Sequence, residues 1–423
     1  MRLRFLTVLT LVVCLSLPAR ASYLLLQEVS AVATGQASAL VAGGGHPDSQ
    51  YHNASNLSFM DGLDLQLALT VYLPQSSYES PTGEVTDGKL SPIAGPSFFA
   101  GYKALDWLAV GLAAFPNFGK ILEWPEGWEG AYVVEKNTVM TFTINPNVSF
   151  GPFKGFAVAA GFDATWGHLS FTRALTTGGL PDDEAGTPNT LTIGAESWSY
   201  SGNFGVSYQP APWVRIGASY RMAYDTNLKG RADFDVTEPW AWRFPDQDVH
   251  LTINMPHQAN LGARFWPRED LSLELDLWYM GWSVYEEQRL VFEEGGIYEG
   301  PGKTREVDVT RQNLSDGMVA ALGLSWDITP NYVLRGGLNY DMCVVPDLSV
   351  TPNQPDGHRI SASVGFGVAF SGFYADVAYK FGYIIPRDVR DVEGVAMGGT
   401  FRTYKHSFSL GVGYHFDPAD LAR

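Results

Sequence analysis

The sequence predicts an all-β fold, a transmembrane antiparallel β-barrel of about 14 strands with an N-terminal hatch plugging its lumen. Three observations carry this. Met1 to Ala21 reads as an export signal, with Arg2 and Arg4, an apolar run from Phe5 to Leu17, and Ala19-Arg20-Ala21 as the cleavage site. Short and long joins between apolar-alternating runs then take turns along the chain, as periplasmic turns and outer loops do in outer-membrane barrels. Finally, 13% aromatic residues and 45 glycines combine with a near-neutral mean hydropathy of -0.05, as expected when only alternate residues face lipid. The apolar run of the signal is too short to span a bilayer as a helix, and no later stretch is long enough.

The elements follow in order. Residues 22–62 are rich in small residues and show neither a period of two nor a sustained amphipathic helix. Ahead of a closed barrel such a stretch reads as a compact plug; a disordered linker is the plainer alternative. Residues 63–416 form the barrel and 417–423 a short tail. Tight joins fall at Ala104 to Asp106, Gly151 to Gly155, Gln209 to Trp213, Trp266 to Asp270, Asp327 to Asn331 and Ser371-Gly372, each with turn-forming residues. Long joins lie between them, at 74–91, 119–137, 176–189, 229–248, 293–306, 343–357 and 386–400. Leu271, Leu273, Leu275 and Leu277 alternate with Ser272, Glu274, Asp276 and Trp278. Phe408, Leu410, Val412 and Tyr414 alternate with Ser407, Ser409, Gly411 and Gly413. We assign the apolar sets to lipid and the polar sets to the lumen. A soluble sandwich would turn the apolar face inward, but the export signal and the loop asymmetry favour the membrane.

Several short runs resemble the FadL/TodX family of outer-membrane transporters of hydrophobic compounds. They are Glu28-x-Ser30, Gly35-x-Ala37 and Asn53-Ala54-Ser55-Asn56-Leu57 in the N-terminal stretch. Further along come Trp128-Glu129-Gly130-Ala131-Tyr132, Val214 to Arg221, Leu271 to Ser283 and Pro355-Asp356-Gly357-His358-Arg359. The family usually has Asn-Pro-Ala where this chain has Asn53-Ala54-Ser55, and Arg where it has Ala131. Without the proline, whose ring fixes φ, the hatch turn is expected to be looser. The resemblance implies a hatch containing Gly35, Ala37, Asn53, Ala54 and Ser55. It also implies a kinked third strand that opens a side gap in the wall.

Pro116 lies inside the third predicted strand, where a proline cannot donate to the ladder. With Asn117 and Gly119 it is the candidate lateral opening. The other reading puts Pro116 above the bilayer at the start of a loop. The long join after it holds Ile121, Leu122, Trp124, Trp128 and Tyr132 among acids, a candidate capture surface; loop packing or an aromatic girdle is the alternative. Inward Arg215, Arg221 and Arg335 are candidate head-group contacts for a carboxylate. They lie among other lumen charges at Arg264, Glu274, Asp276, Asp376 and Lys380, and a structural ion-pair network is the plainer reading.

The formal net charge is -17, and about -20 once Arg2, Arg4 and Arg20 leave with the signal; this argues against a nucleic-acid partner. Cys14 falls in the signal, which leaves Cys343 without an internal partner for a disulfide. None of the eight histidines forms an HExxH pattern, and no GxSxG or phosphate-binding loop is present, so no catalytic residue, cofactor or metal is assigned. His46, Asp48 and His52 match no metal-ligand spacing, and Asp182-Asp183-Glu184 reads as a solvated loop. The expected protein is a monomer in the outer membrane of a Gram-negative cell, in contact with lipid and lipopolysaccharide and inserted by the barrel assembly machinery. The implied function is passive passage of long-chain fatty acids or aromatic hydrocarbons by loop capture, a hatch-gated pocket and lateral exit. A water-filled porin is the first alternative and an outer-membrane acyl hydrolase the weaker one.

Overall fold

Every predicted tight join is a turn between antiparallel neighbours in the computed structural model, which describes residues 24–43, 45–175, 189–238, 240–300 and 302–416. The signal, the tail, and the acids at 182–184 lie outside the described residues. Two turns, Lys154-Gly155 and Ser371-Gly372, carry positive φ at both positions, the geometry that matches strand twist in two-residue hairpins.

The barrel has fourteen strands. They are β1 Leu63–Glu79, β2 Ile93–Leu105, β3 Leu108–Glu123, β4 Lys136–Phe153, β5 Phe156–Ala174 and β6 Thr190–Ala211. Four strands are interrupted: β7 (Val214–Arg221 and Tyr224–Asp235), β8 (Gln247–Met255 and Gln258–Arg268), β9 (Leu271–Met280 and Glu287–Phe292) and β10 (Val307–Arg311 and Gly317–Thr329). The last are β11 Tyr332–Asp341, β12 Arg359–Phe370, β13 Phe373–Asp388 and β14 Thr400–Phe416. β1 pairs with β14 from Leu63↔Phe416 to Glu79↔Thr400, which closes the sheet and removes its edges.

The expected facing holds in the lower part of the wall. Leu67, Phe204, Ile216, Val364 and Leu410 are exposed outward, while Gln66, Asn203, Arg215, Ser363 and Ser409 point inward. Higher up, the chemistry of the two faces inverts. On β6 the inward residues change from Ser207, Asn203 and Ser199 to Ala195, Ile193 and Leu191, while Glu196 and Thr192 face out. On β8 Met255, Ile253, Leu251 and Val249 face in, with Asn254, Thr252, His250 and Asp248 outside. This corrects the assignment of apolar sets to lipid along whole strands. A polar outer face is what a wall meeting water requires, and an apolar inner face is what a wall lining an oily cavity requires.

Residues 24–43 and 45–60 lie inside the barrel and are buried almost throughout. Their helices are short: α1 Ala31–Gly35, capped by the Ser30 side chain, α2 Ser49–His52, and a 3-10 turn at Ala54–Phe59. The segment bonds to strands all around the wall. Asp276 accepts from the Leu40 and Val41 amides at 2.8 and 2.9 Å, and Glu274 from the Ala42 and Gly43 amides at 2.6 and 2.9 Å. Thr34 and Ser409 hydroxyls meet at 2.6 Å, Ser363 donates to the Gly35 carbonyl, and Ser58 meets Ser149. Inward glycines make room for this: a Cβ at Gly217 would lie 2.3 Å from the Val41 carbonyl oxygen, and one at Gly205 2.2 Å from Asn53 Oδ1.

The turn without proline is held by side chains instead. Asn53 Oδ1 accepts from the Ser55 amide and hydroxyl at 3.1 and 2.7 Å, which caps the 3-10 turn. Its amide nitrogen donates to the Val41 and Val206 carbonyls, tying the segment to itself and to β6. Ala54 takes the first helical position, where a proline would otherwise fit.

Candidate functional site

The barrel wall breaks at Pro116. β2 and β3 pair only from Phe98↔Ala114 to Leu105↔Leu108; beyond Ala114 the two strands part. On the other side the β3–β4 register shifts between Pro116 and Gly119. Four consecutive residues, Phe115 to Phe118, are buried, so the alternation fails where the strand bends inward. The N-terminal segment fills the inner side of this break. The Leu26 amide donates to the Asn117 carbonyl at 2.9 Å and the Gly119 amide to the Leu24 carbonyl at 2.8 Å, so Leu24 to Leu26 add to β3 as a short extra strand. Tyr51 buttresses them, donating to the Leu26 carbonyl at 3.0 Å.

Two adjoining cavities lie above this point. The larger, about 510 Å³, is bounded by the inverted upper wall: Leu169, Leu191, Ile193, Leu251, Ile253 and Leu290. Its rim carries Tyr132, Val309, Arg311 and Leu348. The smaller, about 120 Å³, lies directly behind the break, against Leu26, Tyr72, Ile93, Gly119, Ile121 and Leu122. Leu24, Lys120 and Gln354 line both and separate them.

The candidate capture residues divide. Tyr132 is on the rim of the large cavity, and Ile121 and Leu122 line the small one. Trp124 and Trp128 are 1% and 8% exposed and stack on each other at 4.5 Å. Trp124 also donates to the Pro352 carbonyl, and Tyr78 packs on Trp128. These two tryptophans fasten the loop and present no outer surface, as the packing alternative expects.

The three candidate head-group arginines do not converge. Arg221 pairs with Asp163 at 2.5 Å, Arg335 with Asp376 at 2.5 Å, and Arg215 bonds Gln209 and covers the Phe59 ring at 3.9 Å. None of them lines the apolar cavity, and all belong to the polar network around the N-terminal segment. The charges near the small cavity come from elsewhere: Lys120, Asp356, Arg359 and Lys405 line it. Arg359 pairs with Asp341, and Glu28 is bonded by Lys380 at 2.7 Å and Lys405 at 3.3 Å. Burial works against ionisation of Glu28, but Lys380, Lys405 and Arg359 outweigh it and hold its carboxyl well below the usual range. Burial pushes the Asp356 carboxyl up to about 7 despite Arg359. Sequence reasoning missed Lys120 and Asp356 because their partners come from distant strands; the nearest signal was the Pro355 to Arg359 run.

His52 lies between Tyr51 and Trp278 with neither ring nitrogen partnered, and burial pushes it down to about 3. Among the described residues, no group of three or more His, Cys, Asp or Glu side chains is placed to hold a metal ion.

The sequence profile of the outer-membrane protein transport family (OMPP1/FadL/TodX) matches residues 12–389. The chain belongs to this family. FadL/TodX proteins are outer-membrane proteins, and this chain is accordingly a multi-pass outer-membrane protein of a transport family. A long-chain fatty acid transport protein of Escherichia coli O6:H1 is 20% identical over 341 residues, 74% of each chain. A putative outer membrane protein of Neisseria meningitidis serogroup B is 22% identical over 393 residues, 80% of each. Among solved structures, a Pseudomonas aeruginosa FadL homologue superposes with a TM-score of 0.80 at 17% identity, covering 93% of this chain and all of that one. The P. putida toluene transporter TodX gives 0.72 at 15% identity, with 92% and 98% covered. At these identities the superpositions establish the fold.

Proposed function

We propose that this FadL/TodX protein carries hydrophobic molecules passively across the outer membrane, by capture at the outer rim, transit through the two cavities and lateral release at the β2/β3 break. The observation that carries the reading is how the spaces adjoin. A cavity of about 510 Å³ with an aliphatic wall adjoins a second cavity across Leu24, Lys120 and Gln354, and the second lies behind a wall break where Leu24 to Leu26 lie and Leu26 packs with Tyr72 and Ile93. Long-chain fatty acids and toluene, named for relatives, are the substrate classes to test. In the proposed cycle Tyr132, Leu348 and Val309 receive the ligand, and a shift of residues 24–26 opens the break. The hatch below, bonded to strands on all sides, blocks a straight aqueous route, which weighs against a water-filled porin.

The test is uptake of labelled oleate and labelled toluene by cells with and without the protein. Either substrate entering faster supports transport. If neither does, and planar bilayers show steady ion conductance, the porin reading replaces it. Pro116→Val, which restores a ladder donor, is expected to slow uptake at least severalfold. Unchanged uptake by this variant would remove the break from the path.

A further inference from the structure

The small cavity is lined by three basic side chains, Lys120, Arg359 and Lys405, and one carboxyl, Asp356. Lys120 comes from β3, Arg359 from β12 and Lys405 from β14, while Asp356 comes from the loop before β12. Around them stand Lys380 and Arg387 on β13, Asp341 on β11 and Glu28 on the N-terminal segment. Asp341 is matched to Arg359 and Glu28 to two lysines. Arg387 reaches Asp347 and the Asp356 carbonyl. Cys343, also beside Asp356, is a thiol whose ionisation burial suppresses, up to about 12. The cluster sets five basic groups (Lys120, Arg359, Lys380, Arg387 and Lys405) against four carboxyls (Glu28, Asp341, Asp347 and Asp356), and burial lowers the proton affinity of Lys120 and Lys405, so both titrate alongside Asp356. Among the described residues, Asp356 is the acid that lines the small cavity without a salt bridge, although Arg359 and Arg387 act on it from nearby.

We propose that Asp356 acts as an internal competitor for the head group of an acidic amphiphile, so that ligand anion and ionised Asp356 exclude each other in the small cavity. This deepens the transport reading and rests on it: the tail would occupy the large cavity and the head the small cavity beside Lys120. Like charges within one buried space disfavour each other's charged forms. The effect is reciprocal: an anion that enters raises the affinity of Asp356 for a proton, and protonation raises the affinity for the anion by the same factor. Because burial already pushes Asp356 to about 7, the exchange falls in the range an outer membrane meets. Acidic ligands are then held more tightly below neutrality than above it, while neutral hydrocarbons are indifferent. Asp356 is a positioning and selectivity residue in this scheme and need not touch a neutral ligand.

The experiment uses two probes of the same ring system, anilinonaphthalene sulfonate, permanently charged, and phenylnaphthylamine, neutral. Binding to the full protein in nonionic detergent is read by energy transfer from tryptophan. The sulfonate is expected to bind about tenfold more weakly at about pH 8.5 than at about pH 6, while the amine changes little. Asp356→Asn should hold the sulfonate at the higher pH as tightly as the wild type does at the lower. Lys120→Met should weaken the sulfonate at both. Calorimetry locates the proton: because Lys120 titrates in the same range, sulfonate binding to Lys120→Met near pH 7 should still take up protons from the buffer, sulfonate binding to Asp356→Asn should take up fewer than the unmodified protein, and amine binding should take up none. Flat sulfonate affinity, no proton uptake, or an Asp356→Asn protein that keeps the pH dependence would overturn the proposal. If both probes bind but pH alters neither, the competitor role falls and the transport path stands. If neither binds above an empty-micelle control, the path itself fails.

Discussion

The grip of Asp276 on the hatch gives the sharpest prediction. Its carboxylate is completely buried on β9 and accepts the Leu40 and Val41 amides through one oxygen, Oδ2. Asp276→Ala leaves two buried N–H donors without an acceptor. Each such loss costs about 1–3 kcal/mol. Removing a buried carboxylate also relieves its own desolvation, so about 2–3 kcal/mol net is a conservative figure for the pair. At 1.4 kcal/mol per decade, the population of the released hatch rises roughly 30- to 140-fold. Glu274 still holds Ala42 and Gly43, so the loosening should centre on residues 40–41. Planar-bilayer recordings should show frequent brief openings in the variant, and hydrogen exchange at Leu40 and Val41 should accelerate by a similar factor. Asp276→Asn, which keeps an acceptor oxygen, should fall between the two. A folded Asp276→Ala protein with unchanged openings and unchanged exchange would show that the segment is held by shape alone.

Other outcomes follow from the same geometry. Trp124→Ala removes the stacking on Trp128 and the bond to Pro352, and is expected to destabilise the outer loop by about 3–5 kcal/mol, seen as faster proteolysis there while the barrel stays intact. His52 should make the hatch sensitive to acid. Its folded-state value is depressed, so a released hatch takes up a proton that the seated one refuses, and stability is lost as pH falls below about 6.5 and continues to fall toward about 3. By about pH 5 the loss is about 2 kcal/mol. Bilayer openings should rise on acidification, and His52→Phe, similar in size between the same two rings, should abolish that rise.

Much of this architecture was legible because it obeys local rules. Turn residues mark each tight join, and period-two alternation marks the strands they connect. Pro116 pointed to the wall break because a proline withholds one ladder donor, yet Pro74 and Pro96 sit in unbroken pairing, so the residue type alone does not decide where a wall parts. The rest depends on distant partners. Nothing local distinguishes Ile193, facing a cavity, from Phe204, facing lipid. Their opposite directions depend on where the water begins outside, and both sit in well-alternating sequence. Trp124 looked like an exposed loop aromatic because its neighbours Glu123 and Glu126 are charged; its stacking partner and acceptor, Trp128 and Pro352, are set by tertiary folding. Lys120 and Asp356 meet only when β3 and the loop before β12 are brought across the lumen.

The inversion of the upper wall has a thermodynamic consequence. It places an oily compartment of the protein in a watery layer, stacked above the oily compartment of the lipid, with the wall break as the proposed door between them. A hydrophobe that moves through faces two solvents of different quality. The upper one is imperfect: Arg311, Gln288, Thr310 and Asn353 share its surface with the aliphatic side chains. Acyl chains have no such groups, and transfer favours the medium with fewer of them. In the proposed path, a staircase of partition coefficients, each step slightly more apolar than the last, would smooth movement down a concentration gradient and would need no coupled energy. It also sets a limit on improvement, since a stickier upper compartment would fill more readily and empty more slowly.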